Sequence, residues 1–285
     1  MQWINKQNGH YRKRGHRIVQ DFIQRTWNNQ DHCYAGCNYG GLKSEKRITR
    51  LLLAEQNHYC CYCMRKIYDD GLHPRHTTLE HILPHDSKEA DSVLYMANAP
   101  RWYRKNVKWI SEAMVARLDK RVPLPPYPHF LAYENLAASC DGTIGPIGVA
   151  SFGKLHNTCN NKRGERKIVP LFYMRHVKDI VSYDDSGHIL FDERYKSTLI
   201  DGLNLDYSTL VLIRRAWSEI AYYHNPNEVF EAISDKDKRT EILEDMALEE
   251  EYKDSFMNDT LWQLLTEYTW FYQYYKKKRA CNSAS

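Results

Sequence analysis

The chain has 285 residues, with 40 Lys+Arg, 36 Asp+Glu, 13 His and 8 Cys. That is enough for one large domain or two small ones, with a core that needs no disulfide staples. At 42% apolar and 27% charged it reads as globular, and no apolar run approaches the roughly 18–20 residues a membrane helix needs. The N-terminus carries no apolar leader, so a reducing, bacterial-type cytoplasm is expected, where cysteines are metal ligands or free thiols rather than bridges. The net charge of +4 is uneven. Residues 1–168 hold 26 Lys+Arg against 15 Asp+Glu (+11), and residues 169–285 hold 14 against 21 (−7). Such asymmetry predicts different partners for the two halves.

Residues 1–44 read as a basic N-terminal segment, with Arg12-Lys13-Arg14 and Arg17 leading into an amphipathic stretch from Ile18 to Trp27. Ser44 is a plausible N-cap for a helix carrying Ile48, Leu51, Leu52 and Glu55 at helical spacing and ending near Asn57. Thr77 to Ile82 has β-branched residues and rough alternation, and Pro84 closes it as a strand. Residues 88–121 are expected to be a helical insertion with Trp102 and Trp109 as core anchors, and the four prolines of Val122 to Pro128 form a stiff connector. Tyr133 to Cys140 runs into a loop with Gly142, Gly145, Gly148 and Gly153, and a short basic helix is predicted from Cys159 to Lys167.

Beyond Pro170, Ser186-Gly187 is a turn signal before a strand at His188 to Phe191. Helices are predicted at about 207–223, 225–233, 236–253 and 258–278. The second has Asn225 as cap, Pro226 in the first turn and Glu228 closing a capping box. Leu261, Leu264, Leu265, Tyr268, Phe271, Tyr272 and Tyr275 make an apolar stripe that either packs into the chain's own core or docks a partner. The expected class is α+β, mostly helical, in three parts: residues 1–44, 45–168 and 169–285.

Cys60 and Cys63 form a C-x-x-C pair, the spacing at which two thiolates reach one tetrahedral metal. Cys140 and Cys159 are available as the other two ligands, separated by the glycine loop. Cys61 stands as an alternative thiol and His156 as an alternative ligand. Cys33 and Cys37 are either a second metal pair or ordinary thiols, and Cys281 reads as a free thiol.

Between these cysteines lies Leu79-Glu80-His81-Ile82-Leu83-Pro84, then Glu134-Asn135-Leu136-Ala137-Ala138-Ser139-Cys140, then Cys159-Asn160-Asn161-Lys162. In this order the segments resemble the HNH nucleases, whose fold is a ββα-metal motif. The resemblance implies phosphodiester hydrolysis, with His81 as general base, since a neutral imidazole takes a proton from water near pH 7. It implies Glu80 and Asn160 as ligands of Mg²⁺ or Mn²⁺, an ion that prefers hard oxygens and keeps few from the protein. Asn135 would brace the loop presenting the base, and Cys60, Cys63, Cys140 and Cys159 would hold structural Zn²⁺. Adjacent strand residues point to opposite faces, so Glu80 and His81 are expected at the strand's end, where the backbone turns. Lys162, Arg163, Arg166 and Lys167 form a basic stripe suited to backbone phosphates.

Leu52-Leu53-Ala54-Glu55-Gln56, together with these segments and with Ile168-Val169-Pro170-Leu171, Ser186-Gly187-His188-Ile189 and Thr198 to Leu205, looks like the PtuB family of Septu and retron anti-phage systems. The match runs over roughly residues 45–215. It implies a PtuA-type ABC/SMC-like ATPase as partner and, in retron versions, a reverse transcriptase with its RNA–DNA product. The chain departs from the pattern in the wide Cys140–Cys159 spacing, in the doubled Cys60-Cys61, and in Glu rather than Asp before the histidine.

Overall fold

The computed structural model describes residues 1–27, 34, 36–69, 77–115, 118, 122–144 and 157–282. The chain is α+β, about half helical with few strands. The first helix, α1 (Gly9–Thr26), is longer than the amphipathic stretch seen in the sequence. Asn8 caps it by accepting from the His10 amide, and Ile18, Val19, Phe22 and Ile23 are buried along one face. Gly15 faces Tyr133 so closely that a Cβ there would lie 2.4 Å from the ring, so α1 lies directly against the segment that leads to Asn135. Next come α2 (Tyr39–Lys43) and α3 (Lys46–Glu55). The cap of α3 is Glu45, whose side chain accepts from the Arg47 amide; Ser44 instead ends α2. Glu45 outcompetes Ser44 because its carboxylate also engages the Arg47 guanidinium.

Strand β1 (Thr78–His81) comes next. The expected helical insertion is broken into α4 (Glu89–Asn98), α5 (Arg101–Arg104), the two-residue strand β2 (Val107–Lys108) and α6 (Glu112–Val115). Pro100 interrupts the first helix, as a residue with no amide hydrogen must. The buried anchors here are Tyr103, Val107 and Ile110, whereas Trp102 and Trp109 are only half-buried. The proline connector contributes β3 (Tyr127–Pro128), paired parallel with β2. Strand β4 (Leu136–Ser139) pairs antiparallel with β1, Thr78 opposite Ser139 and His81 opposite Leu136. On the other side of β4, the Gln56 side chain stands in for a third strand. Its Oε1 accepts from the Ala138 amide and its Nε2 donates to the Ala138 carbonyl, both at 2.8 Å.

After β4 lie the five-residue α7 (Cys159–Arg163), then α8 (Val177–Ile180) and the hairpin of β5 (Val181–Tyr183) with β6 (Ile189–Phe191). Gly187 turns that hairpin at φ +88°, where a Cβ would meet the Val211 carbonyl at 2.1 Å. The rest is helical: α9 (Ser208–Tyr223), α10 (Pro226–Glu231), α11 (Lys236–Glu244), α12 (Glu250–Phe256), α13 (Asp259–Thr266) and α14 (Trp270–Asn282). The Asn225–Glu228 capping box is present. The helices predicted at 236–253 and 258–278 are each divided in two. Asn258 caps the start of α13, and the break before α14 lets Tyr268 turn inward.

The apolar stripe faces the chain's own core: Leu261, Leu264, Leu265, Tyr268, Phe271 and Tyr275 are all buried. A docking role for that stripe is therefore replaced by internal packing against α9. One core cluster takes in Ile18 and Phe22, Cys60 and Leu136, and Trp217 and Tyr268, so residues 1–44, 45–168 and 169–285 share an interior. Among the described residues, no helix is long and apolar enough to cross a membrane.

Candidate functional site

Two tight turns build the cysteine cluster. In the first, Tyr59 and Lys66 close an antiparallel bridge, the Cys60 amide donates to the Arg65 carbonyl at 2.8 Å, and Met64 takes a left-handed φ of +65°. In the second, Gly142 (φ +71°) accepts from both the amide and the hydroxyl of Thr158. A Cβ on Gly142 would fall 1.9 Å from the Thr158 carbonyl, so only glycine permits the approach. Thr143 and Asn157 bridge just inside this turn. The wide Cys140–Cys159 spacing is thus a loop closed at its base, and the two cysteines still meet.

The sulfurs of Cys60, Cys63, Cys140 and Cys159 lie within 4.8 Å of one another, all buried, with Cys63 and Cys140 3.7 Å apart. Tetrahedral thiolate bound at about 2.3 Å places ligand sulfurs about 3.8 Å from each other, so the cluster fits a metal such as zinc. Burial opposes charge on Cys60, yet hydrogen bonds from the thiols of Cys140, Cys159 and Cys61 bring its pKa down to about 5. Burial, reinforced by hydrogen bonds to Cys140, Cys60 and Cys63, pushes Cys159 well up. Four adjacent thiols cannot all ionise without a cation among them, and a divalent ion would supply that charge. Cys61 is buried beside the quartet but spends its amide on the Ala138 carbonyl at 3.1 Å and contributes no ligand. Cys37 is buried with its sulfur 3.2 Å from the Thr26 hydroxyl. Cys33 and His156 lie outside the described residues, and Cys281 is an exposed free thiol.

Beside this cluster, β1, the loop that follows it and α7 frame a cavity of about 190 Å³ lined by Tyr39, Glu80, His81, His85, Asn160 and Arg163, among others. Four residues singled out in the sequence, Glu80, His81, Asn160 and Arg163, therefore meet at one pocket. His81 is the last residue of β1, where the strand ends as expected. Its Nε2 lies 3.0 Å from the Phe130 carbonyl. A carbonyl only accepts, so Nε2 carries the proton and Nδ1 keeps its lone pair. Burial, partly offset by that hydrogen bond, lowers the His81 pKa to about 3, so the ring is neutral at ordinary pH.

Asn135 lies behind the pocket rather than on its wall. Its Oδ1 accepts from the Leu83 amide (2.8 Å) and the Tyr103 hydroxyl, and its Nδ2 donates to the carbonyls of Leu83 (2.9 Å) and His129 (2.8 Å). Every hydrogen-bonding position of this amide is used, two of them on Leu83 in the chain that leaves His81.

Arg163 departs from the expected basic stripe. It is buried (1% exposed) and ion-paired with Glu80. Its guanidinium donates to the carbonyls of His81 (2.7 Å), Ile82 (2.8 Å) and Arg166 (2.9 Å) and to the Tyr62 hydroxyl. With most of its donors committed inside the protein, it clamps α7 to the end of β1. Of the other three, Lys167 pairs with Asp91, Arg166 donates to the Asp201 carbonyl at 2.6 Å, and Lys162 is half-buried. A short helix ended by Gly164 at φ +53° cannot carry a stripe from 162 to 167 along one face.

The sequence did not reveal Tyr39. Its ring stacks on His85 (centroids 4.5 Å) and meets His81 edge-on (5.0 Å), giving the pocket an aromatic wall from the N-terminal segment. No spacing rule connects position 39 to position 81, and only the folded chain brings them together. The C-terminal half also reaches the cluster. The Tyr268 hydroxyl lies 3.7 Å from the Cys63 sulfur, Arg65 is ion-paired with Glu267, and the Lys66 amide donates to the Glu267 carbonyl at 2.7 Å. Comparison with family models, with curated proteins and with solved structures finds no match to this chain.

Proposed function

We propose that the chain is a metal-dependent HNH nuclease, similar to the PtuB family, that hydrolyses phosphodiester bonds in nucleic acid, with DNA the favoured substrate. The observation that carries the reading is the tautomer of His81. With Nε2–H committed to the Phe130 carbonyl, Nδ1 is a neutral, uncharged base in a ring that lines the same cavity as Glu80 and Asn160. The β1–β4 pair followed by α7, with a cysteine quartet beside it, supports the ββα-metal reading, and the quartet would hold Zn²⁺ as a structural ion.

In this mechanism His81 takes a proton from water at Nδ1 as the water attacks phosphorus. Asn135 fixes the backbone that carries His81. Arg163 pairs with the Glu80 carboxylate and holds it in place. Oxygens of Glu80 and Asn160 would hold a Mg²⁺ or Mn²⁺, which when bound neutralises charge on the phosphate and the leaving oxygen. The pair is a hard-oxygen set, in keeping with an ion that keeps most of its waters.

The same reading makes the chain the effector of an anti-phage complex, alongside a PtuA-type ABC/SMC-like ATPase and, in retron form, a reverse transcriptase with its RNA–DNA product. The test is cleavage of plasmid DNA and of tRNA by the purified chain with Mg²⁺, with and without the ATPase, against His81→Ala. Loss of cleavage in His81→Ala with folding and zinc content unchanged is expected. Equal cutting by the variant would refute the assignment of the base. Cleavage of tRNA alone would move the substrate to RNA.

A further inference from the structure

The loss of the expected stripe around α7 leaves open where a nucleic acid would be held, and a different face of the molecule offers the charge. Helices α1 and α3 pack side by side and leave between them a groove of about 260 Å³. Arg14, Arg17, Arg47 and Arg50 line it, over a floor that includes Ile18, Leu51 and Ala54, and Asp21 is the one acid in its wall. His10, Arg14, Arg17 and Asp21 follow one another at i, i+4, i+7 and i+11 and so share one face of α1. Arg47 and Arg50 sit one turn apart on α3.

The partners of these four guanidiniums divide them into two pairs. Arg47 bonds to Asp21 and Glu45 (3.0 Å each), and Arg50 to Asp69 (2.9 Å). Among the described residues, Arg14 bonds only to the His10 ring, at 3.4 Å, and Arg17 has no ion pair. Both are exposed. Arg12 and Lys13, on the same turn of α1, are also exposed and likewise make no ion pair among the described residues. Arginines held a turn apart on two rigid helices present planar forks that match phosphate oxygens two at a time. Arg47 is already braced by carboxylates, so its position is set before a ligand arrives.

We infer that the α1–α3 groove is the docking surface for nucleic acid, gripping backbone phosphates of a duplex through Arg14 and Arg17, with Arg47 and Arg50 as the opposite wall. The inference rests on the nuclease reading only for the identity of the ligand. It predicts binding whether or not the chain cleaves. It places part of the positive charge of the first half on α1, outside the stretch that resembles PtuB, facing Arg47 and Arg50 at the start of that stretch.

The experiment is fluorescence anisotropy of a labelled duplex of about 25 base pairs, titrated with His81→Ala protein over a range of salt, so that cleavage does not interfere. Each phosphate contact contributes about 0.9 to the slope of log K against log salt. Adding Arg14→Ala and Arg17→Ala should flatten that slope by nearly two and weaken binding roughly 10- to 100-fold near 0.1 M salt. Adding Arg166→Ala and Lys167→Ala should leave both unchanged. Both pairs are surface side chains, and a circular-dichroism melt matching the parent confirms the fold. Arg17→Lys alone should recover most of the binding. Unchanged slope and affinity in the Arg14/Arg17 variant would overturn the inference, as would a parent that does not bind duplex at all. Equal competition by polyglutamate at matched charge would assign the groove to an acidic protein and overturn it too. Cleavage by wild-type protein, scored separately, would leave the nuclease reading standing in each of those cases.

Discussion

Replacing Arg163 with Met separates a structural clamp from a phosphate contact, because the two roles predict opposite outcomes. Arg163 is 1% exposed and forms a buried ion pair with Glu80. It also satisfies the carbonyls of His81 and Ile82. Removing one member of a buried ion pair strands the other charge, at a cost of about 3–5 kcal/mol. Each orphaned carbonyl adds about 1–3 kcal/mol, part of which water entering from the neighbouring pocket would recover. These contributions share one network and do not add fully, so the expected loss is about 5 kcal/mol, a large fraction of the 5–15 kcal/mol typical of folded domains. Calorimetry should show a Tm lowered by roughly 10–20 °C, taking about 2–4 °C per kcal/mol for a chain of this size. Glu80→Gln in the Arg163→Met background removes the stranded charge, so the double variant should be more stable than the two single losses combined would give. A Tm within about 2 °C of wild type, together with weakened binding to duplex, would refute the clamp and return Arg163 to the phosphate-binding stripe.

The metal cluster should hold about one Zn²⁺ per chain by elemental analysis, and Cys140→Ser should lose both the metal and the cooperative unfolding transition; unchanged metal content in that variant would remove Cys140 from the site. Gly142→Ala should have the same effect without touching a ligand, because its Cβ would lie 1.9 Å from the Thr158 carbonyl at a φ of +71°; a folded, zinc-replete Ala variant would show that the second turn tolerates a side chain. His129 is fully buried, and burial, partly offset by hydrogen bonds to the carbonyls of His85 and Pro84, lowers its pKa to about 4. The unfolded chain therefore binds this proton first. Stability should fall as pH drops from about 6.5 toward 4, by about 2 kcal/mol per such histidine between pH 7 and 5. His129→Phe should flatten that part of the urea-midpoint profile, and an unaltered slope would exclude His129 as its source. Tyr39→Ala should lower cleavage without changing metal content or fold, since the ring touches both histidines of the pocket; full activity would reduce Tyr39 to a surface contact.

The parts of the site that the sequence revealed are those where chemistry dictates residue type over a short span. C-x-x-C requires a tight turn, and a strand ending in Glu80-His81 followed by proline requires a boundary there. The Asn225–Glu228 box is legible because all its bonds are local. What could not be read depends on long-range competition. Arg163 sits in a basic run and looks like a surface stripe, but its depth is set by Glu80 and by two carbonyls some 80 residues away. Ser44 looks like a cap and loses to Glu45 because an arginine beside it rewards a carboxylate. The helical insertion expected over 88–121 is broken into short helices for a related reason. Its periodicity is weak, and a two-residue parallel pairing with Tyr127–Pro128 outweighs helical propensity at Val107–Lys108.

The charge asymmetry also takes a different meaning in three dimensions. A boundary at residue 168 suggests a basic catalytic body and an acidic docking body, yet the acidic half helps to enclose the cysteine quartet. Glu267 is an acidic residue of that half, and its carboxylate pairs with Arg65 while its carbonyl receives the Lys66 amide. Tyr268, beside it, reaches Cys63. The second half therefore supplies negative charge against the cationic turn that carries Cys60 and Cys63. It also brings the Tyr268 ring, fully buried with its hydroxyl against the Cys63 sulfur. A truncation after residue 215 would preserve every residue of the PtuB-like stretch and still expose the cluster to water. Any protein partner of the acidic half must then bind the outer faces of α9 to α14, because their inner faces are already packed into the core that the whole chain shares.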